Sequence, residues 1–187
     1  SFNSSKTLDP NSPYSYFNDN IFLTKKLVTL NYDKFIYFST IDVYCKNTKT
    51  HSENETLDLY GPSSIYSTSK LVSEAIVKQE AKNYLILRSS APLGIYSRKN
   101  TLIRMIQNEP CEIGLSSAST YNIINYSDIS DFIKYSIERD LQGLFNLASS
   151  KNITLEKVAT ILGKNIQFGE HYYSPGSIDN TKISSIF

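Results

Sequence analysis

The period of the hydrophobic positions changes repeatedly along the chain. Behind a Ser12-Pro13 start, Tyr16, Phe17, Asn20, Ile21, Leu23, Thr24, Leu27 and Val28 recur at three- and four-residue spacing, which predicts a helix over 13–30. The pattern then becomes continuous in KFIYFST (34–40), a short aromatic-rich run of the kind buried on both faces in a parallel sheet. Residues 45–63 are polar, contain Gly61-Pro62 and predict a loop, and helical spacing resumes over 65–82. NYLILRSS (83–90) predicts a second buried strand, followed by a loop with Pro92 and Gly94 and a helix over 100–108. Beyond it lie short strands near 111–115 and 121–125, a helix over 127–138 with Asp128 as its cap, and the strand GLFNLAS. A helix over 154–162, opened by Thr154 and closed by Gly163, precedes a polar tail. This alternation predicts an α/β fold with a mostly parallel sheet, and no repeat at a period of 20–50 residues interrupts it.

Length and charge narrow the function classes. A chain of 187 residues builds one domain with a substantial core. A formal charge of +1 with acids and bases mixed offers no footprint for nucleic acid or an anionic membrane, so a small-molecule partner is expected. No apolar run approaches the ~20 residues of a membrane span, and the first residues lack a signal pattern; a soluble, cytoplasmic protein is expected. Cys45 and Cys111 are isolated and read as free thiols, and His51 and His171 have no ligand-spaced neighbours, so no metal site is expected. Chemistry must then come from hydroxyls, carboxylates and lysines.

One stretch combines them. SIYSTSK (64–70) sets Tyr66 and Lys70 one helical turn apart, on the same face of the 65–82 helix. With 14 tyrosines and 15 lysines among 187 residues, chance alone supplies about one such spacing, so position must carry the argument. Thr40 ends the preceding strand, and ligands of open parallel sheets bind outside the carboxyl ends of their strands. A free phenol, with a pKa of ~10, is a poor base near neutrality; a neighbouring ammonium stabilises the phenolate and brings it nearer the working range. Such a phenol can take a proton from a substrate alcohol as hydride leaves its carbon, or return one to a carbonyl. Period-two alternation points Ser39 and Thr40 to opposite faces, and the spacing to Val43-Tyr44 favours Thr40 as the substrate-holding hydroxyl.

FIYFSTIDVY (35–44), then YSTSK with Glu74 a turn later, resembles the extended short-chain dehydrogenase/reductase family, in its NAD-dependent epimerase/dehydratase branch acting on nucleotide sugars. NIFLTKKLV (20–28), ILRSSAPLG (86–94), YNIINYSDISDFI (121–133) and GLFNLASSKNITLEKVATILGK (143–164) resemble further family segments in order and spacing. The resemblance implies a Rossmann-like, doubly wound, mostly parallel sheet over 1–187, with a small substrate lobe from 95–130 and 165–187. It implies Tyr66 as acid/base, Lys70 as the residue that tunes it and holds the nicotinamide ribose, and Thr40 as the substrate-orienting hydroxyl. Ser39, Pro92 and Leu93 would face the cofactor, NAD or NADP. Asn20, Asp42 and Tyr121 would face a sugar or nucleotide-sugar substrate. Glu74 reads as a structural partner, Arg88 as an ion-pair residue, and a homodimer through the helices flanking the site is expected.

The sequence also departs from the family. None of its seven glycines forms the Gly-x-x-Gly-x-x-Gly turn that seats a dinucleotide pyrophosphate on a helix N-terminus. The segment order corresponds to a start after the fourth strand of the nucleotide-binding sheet, so this chain by itself is expected to bind a dinucleotide weakly. It is expected to be part of a longer enzyme or a truncated, non-catalytic relative serving as a structural or partner-binding protein. Dehydratases place Asp-Glu directly after the threonine; Ile41-Asp42 here disfavours water elimination. Tyr121 stands where many nucleotide-sugar epimerases carry a diphosphate-binding arginine.

Overall fold

The structure is a computed structural model that describes residues 13–47, 49–57, 62, 64–97, 99–107 and 112–187. The expected Ser12 cap, Gly61 and Cys111 lie outside them; Cys45 is a free thiol. The first expected helix is present but interrupted. α1 (Pro13–Phe17) runs into a π-helical turn, Asn18–Phe22, before α2 (Leu23–Val28). Asn20 is buried at the turn and donates its Nδ2 to the Tyr16 carbonyl at 2.8 Å, while Thr24 Oγ1 donates to the Asn20 carbonyl at 2.6 Å. Side chains thus enter the main-chain ladder, a recognised cause of π turns and bends.

β1 (Phe35–Thr40) follows, then a 3₁₀ turn at Ile41–Val43, β2 (Thr50–His51) and the long α3 (Ile65–Glu80), whose cap Ser64 accepts from Ser67 N. β3 (Tyr84–Ser89), β4 (Ala91–Leu93) and α4 (Thr101–Ile106) come next. Then come β5 (Glu112–Leu115), β6 (Thr120–Tyr121), β7 (Ile123–Asn125) and α5 (Tyr126–Glu138). The chain continues through β8 (Gly143–Leu147), β9 (Ile153–Thr154), α6 (Leu155–Leu162), β10 (Gln167–His171), β11 (Ser177–Ile178) and α7 (Thr181–Ser184). Gly163 closes α6 in the left-handed region, φ 63°, where a side chain would strain the backbone.

Four expectations are corrected. The 121–125 strand is split at Asn122, whose side chain pairs with the Ser149 main chain and substitutes for a ladder partner. The polar loop contains β2, paired in parallel with β11, and the polar tail carries β10, β11 and α7. The strands among them are short and rich in polar residues, so the sequence carries no apolar run there, and each forms by pairing with a strand distant in the chain. Asp128 is not the cap of α5: Asn125 occupies that position, and Asp128 lies in the first turn, accepting from Asn125 Nδ2 at 3.2 Å. A carboxylate there still complements the helix dipole.

The central sheet is parallel, in the order β1-β3-β8. Alternation along β3 sends Leu85 and Leu87 toward Phe132 of α5 and Ile86 toward Val77 of α3 and Val28 of α2, so helices cover both faces. This is a doubly wound, Rossmann-like arrangement. A separate cluster of Leu102, Met105, Ile113, Leu155, Val158 and Ala159 joins α4, β5 and α6, with Phe168 of β10 packed against it.

The α3 face of the sheet ends in a polar row. Ser39, Arg88 and Asn146 are register partners across all three strands, and all are buried. Arg88 donates to both carboxylate oxygens of Glu74, Nε at 3.0 Å and Nη2 at 2.7 Å, and Ser39 Oγ donates to Glu74 at 2.5 Å. Arg88 Nη1 reaches the Tyr44 hydroxyl at 3.0 Å, which donates to Asn146 Oδ1 at 2.7 Å. The buried pair is thus bidentate and further hydrogen-bonded by Ser39 and Tyr44 of the same network. Truncating Glu74 to Ala leaves a buried guanidinium uncompensated and is expected to cost about 3–5 kcal/mol in urea unfolding, whereas Glu74→Leu with Arg88→Met is expected to recover most of it.

Candidate active site

The carboxyl end of β1, the 3₁₀ turn after it and the first turns of α3 enclose a cavity of about 560 Å³. Of the residues singled out in the sequence, Ser39, Thr40, Asp42, Tyr66, Lys70, Pro92 and Tyr121 line it; Leu93 and Asn20 do not. Leu93 ends β4 beside Asn125 of β7, and Asn20 is turned into the packing between the π turn and α3.

α3 determines the placement of the central pair. Tyr66 and Lys70 lie in consecutive turns, and Glu74, one turn further, is clamped by Arg88. Lys70 is buried, and its Nζ donates to the Phe38 carbonyl of β1 at 2.7 Å. It stands 4.9 Å from the Tyr37 ring centroid and 5.9 Å from that of Tyr66. Burial pushes the Lys70 ammonium below its ordinary value, a shift that the Glu74 charge opposes. Tyr37 and Tyr173 are pushed upward, chiefly by burial, so both remain neutral phenols.

The two hydroxyls of β1 divide their roles. Ser39 gives its proton to Glu74, while Thr40 Oγ1 accepts from Asp42 N at 3.2 Å and caps the 3₁₀ turn. Its own proton points weakly at Asp42 Oδ2, 3.5 Å away, and is available to another acceptor in the cavity.

On the opposite wall only Tyr121 was legible in the sequence. Tyr173, in what reads as tail, directs its hydroxyl to Asp42 Oδ1 at 3.4 Å and packs against Tyr121, centroids 5.2 Å apart. Tyr126 enters at the start of α5, where a side chain at Gly94 would strike its ring at 2.6 Å. Asn122 and Ser90 complete this side; the Ser90 hydroxyl is buried without a hydrogen-bond partner. A Ser-Pro-Gly turn after HYY was the one sequence sign that the tail folds back. Among the described residues no cluster of three metal-ligating side chains occurs, and no helix is long and apolar enough to cross a membrane.

The model of the NAD-dependent epimerase/dehydratase family matches residues 3–148. No curated protein matches the sequence. Among solved structures, UDP-glucuronic acid 4-epimerase from Bacillus cereus, in complex with UDP-glucuronic acid and NAD, superposes with a TM-score of 0.79 at 21% identity, over 100% of this chain and 66% of that one. MoeE5 in complex with UDP-glucuronic acid and NAD gives 0.76 at 18% identity, over 91% of this chain and 65% of that one. A dTDP-4-dehydrorhamnose reductase from Clostridium acetobutylicum gives 0.76 at 16% identity, over 96% and 71%. The chain thus spans about two thirds of these relatives' length, and the likeness is one of fold.

The state of Lys70 has a measurable consequence for stability. With its folded pKa below the unfolded 10.5, the unfolded chain binds the extra proton between those two values, so stability rises with pH in that window. Lys70→Met, of similar length and uncharged, is expected to leave the melting temperature at pH 7 unchanged or raised, with its difference from wild type shrinking as pH approaches 10.5. A variant destabilised by several degrees at pH 7 would contradict this account of the buried charge.

Proposed function

The chain belongs to the NAD-dependent epimerase/dehydratase family, and from that premise we propose that it carries the proton-transfer half of an NAD(P)-dependent epimerase or reductase acting on a nucleotide sugar. The observation that carries the reading is the convergence of Thr40, Tyr66 and Lys70 on one cavity at the carboxyl end of a parallel strand. The ligands bound in the structural neighbours, UDP-glucuronic acid and NAD, support the substrate class and the cofactor.

Ser90 offers an unpaired buried hydroxyl to the cavity beside Lys70 and Pro92, a wall that fits the nicotinamide-ribose end. No residue here supplies the glycine turn for a pyrophosphate, so the fit covers that end alone. NAD(P), when bound, supplies the hydride acceptor and donor.

The chain's residues then divide the remaining work. Tyr66 accepts the proton of the substrate hydroxyl and returns it on reduction; Lys70 holds positive charge beside the phenol and donates to the ribose; Thr40 gives its proton to the reacting oxygen. Ile41 offers no acid for expelling water, so epimerisation or reduction is preferred to dehydration. Exposed Phe22, Leu23, Leu27 and Leu30 on the N-terminal helices suit pairing of two copies; light scattering is expected to give a dimer mass.

Turnover of UDP-sugars with NAD(H) tests the proposal. Tyr66→Phe is expected to lower kcat about 10²–10⁴-fold with nucleotide-sugar binding retained. An unchanged rate in that variant would remove Tyr66 from the mechanism.

A further inference from the structure

The charges around the cavity are segregated by one aromatic ring. Among the described residues lining it, Asp42 supplies the only carboxylate and Lys70 the only cation, and the Lys70 ammonium is turned onto the Phe38 carbonyl. Tyr173 borders both this cavity and a second cleft of about 630 Å³. Its hydroxyl faces Asp42, and Lys46, which lines the outer cleft and not the cavity, stands over its ring at 4.8 Å. Asp42 is only half-buried, and its other polar neighbour, the Thr40 hydroxyl, lies 3.5 Å from Oδ2.

Both hydrogen bonds to the Asp42 side chain are long and come from hydroxyls, which leaves acceptor capacity for further hydroxyl donors. A sugar diol satisfies such a carboxylate; a second carboxylate in the same partly desolvated space is repelled and has no described guanidinium to pair with. Lys46 does not compensate, because it lies on the far side of the Tyr173 partition.

We infer that Asp42, with Tyr173 holding its carboxylate at the cavity wall, is a specificity-determining residue that selects a neutral, hydroxyl-bearing sugar and rejects a uronate. This rests on the nucleotide-sugar reading above and sets the chain apart from the structural neighbours that bind a uronate, which share the fold at 21% and 18% identity. Nothing in the shared fold dictates the sign of the charge at this wall; the residue after Ile41 does.

The test is calorimetric titration of the 187-residue chain, with NAD present, by UDP-glucose and by UDP-glucuronate. Wild type is expected to bind UDP-glucose at least about tenfold tighter, Asp42→Asn to bring the ratio near one, and Asp42→Glu to keep it, with circular dichroism verifying the fold of each. Equal binding of the two sugars by wild type, a preference for the uronate, or a ratio unmoved by Asp42→Asn overturns this inference alone. Binding of neither sugar overturns it together with the nucleotide-sugar reading.

Discussion

The bidentate contact between Glu74 and Arg88 is the constraint on which the arrangement rests. It joins a helix to the middle strand of a three-stranded sheet at the carboxyl end of that strand, and both side chains are almost wholly withdrawn from water. Two desolvated charges are costly to assemble and still costlier to separate, so the helix has one admissible depth and rotation on the sheet. Lys70 and Tyr66, one and two turns back from Glu74, inherit that placement. Ser39, Tyr44 and Asn146 complete the row and tie in the 3₁₀ turn and the third strand, so the walls of the cavity share one buried framework.

The same framework explains how far the sequence could be read. Strands β1, β3 and β8 were legible because each opens with a continuous apolar run before the polar residues at its carboxyl end; α3, α5 and α6 were legible from period and caps. Tyr66, Lys70 and Thr40 were legible through the position of a common spacing after a buried strand. What could not be read depends on long-range pairing. β10 and β11 are polar strands whose partners lie more than fifty residues earlier, and Tyr173 becomes a wall of the cavity only through that return. Asn20 reads as an ordinary helical polar position, yet it is buried because its amide enters the main-chain ladder.

The two hydroxyls at the end of β1 show how local alternation becomes chemistry. Neighbours in sequence, they face opposite sides of one strand: Ser39 is consumed by the ion pair, and Thr40 is left with a proton to give. Thr40 therefore adds a hydroxyl to the cavity that the supporting network does not engage, beside Tyr66 and Lys70 of the helix that the network anchors. The family model covers residues 3–148, whereas Tyr173, which faces the cavity's carboxylate, lies beyond that range.

The π turn at Asn18–Phe22 carries a consequence for comparing this protein with others. A turn closed over five residues instead of four absorbs an extra residue without adding a turn of length. Set beside a relative whose helix is straight, this segment would register as a one-residue insertion in the middle of a helix, where gaps are usually disallowed. An alignment that refuses the gap would shift every position before it by one, and would pair Tyr16 and its neighbours with the wrong side of the other helix.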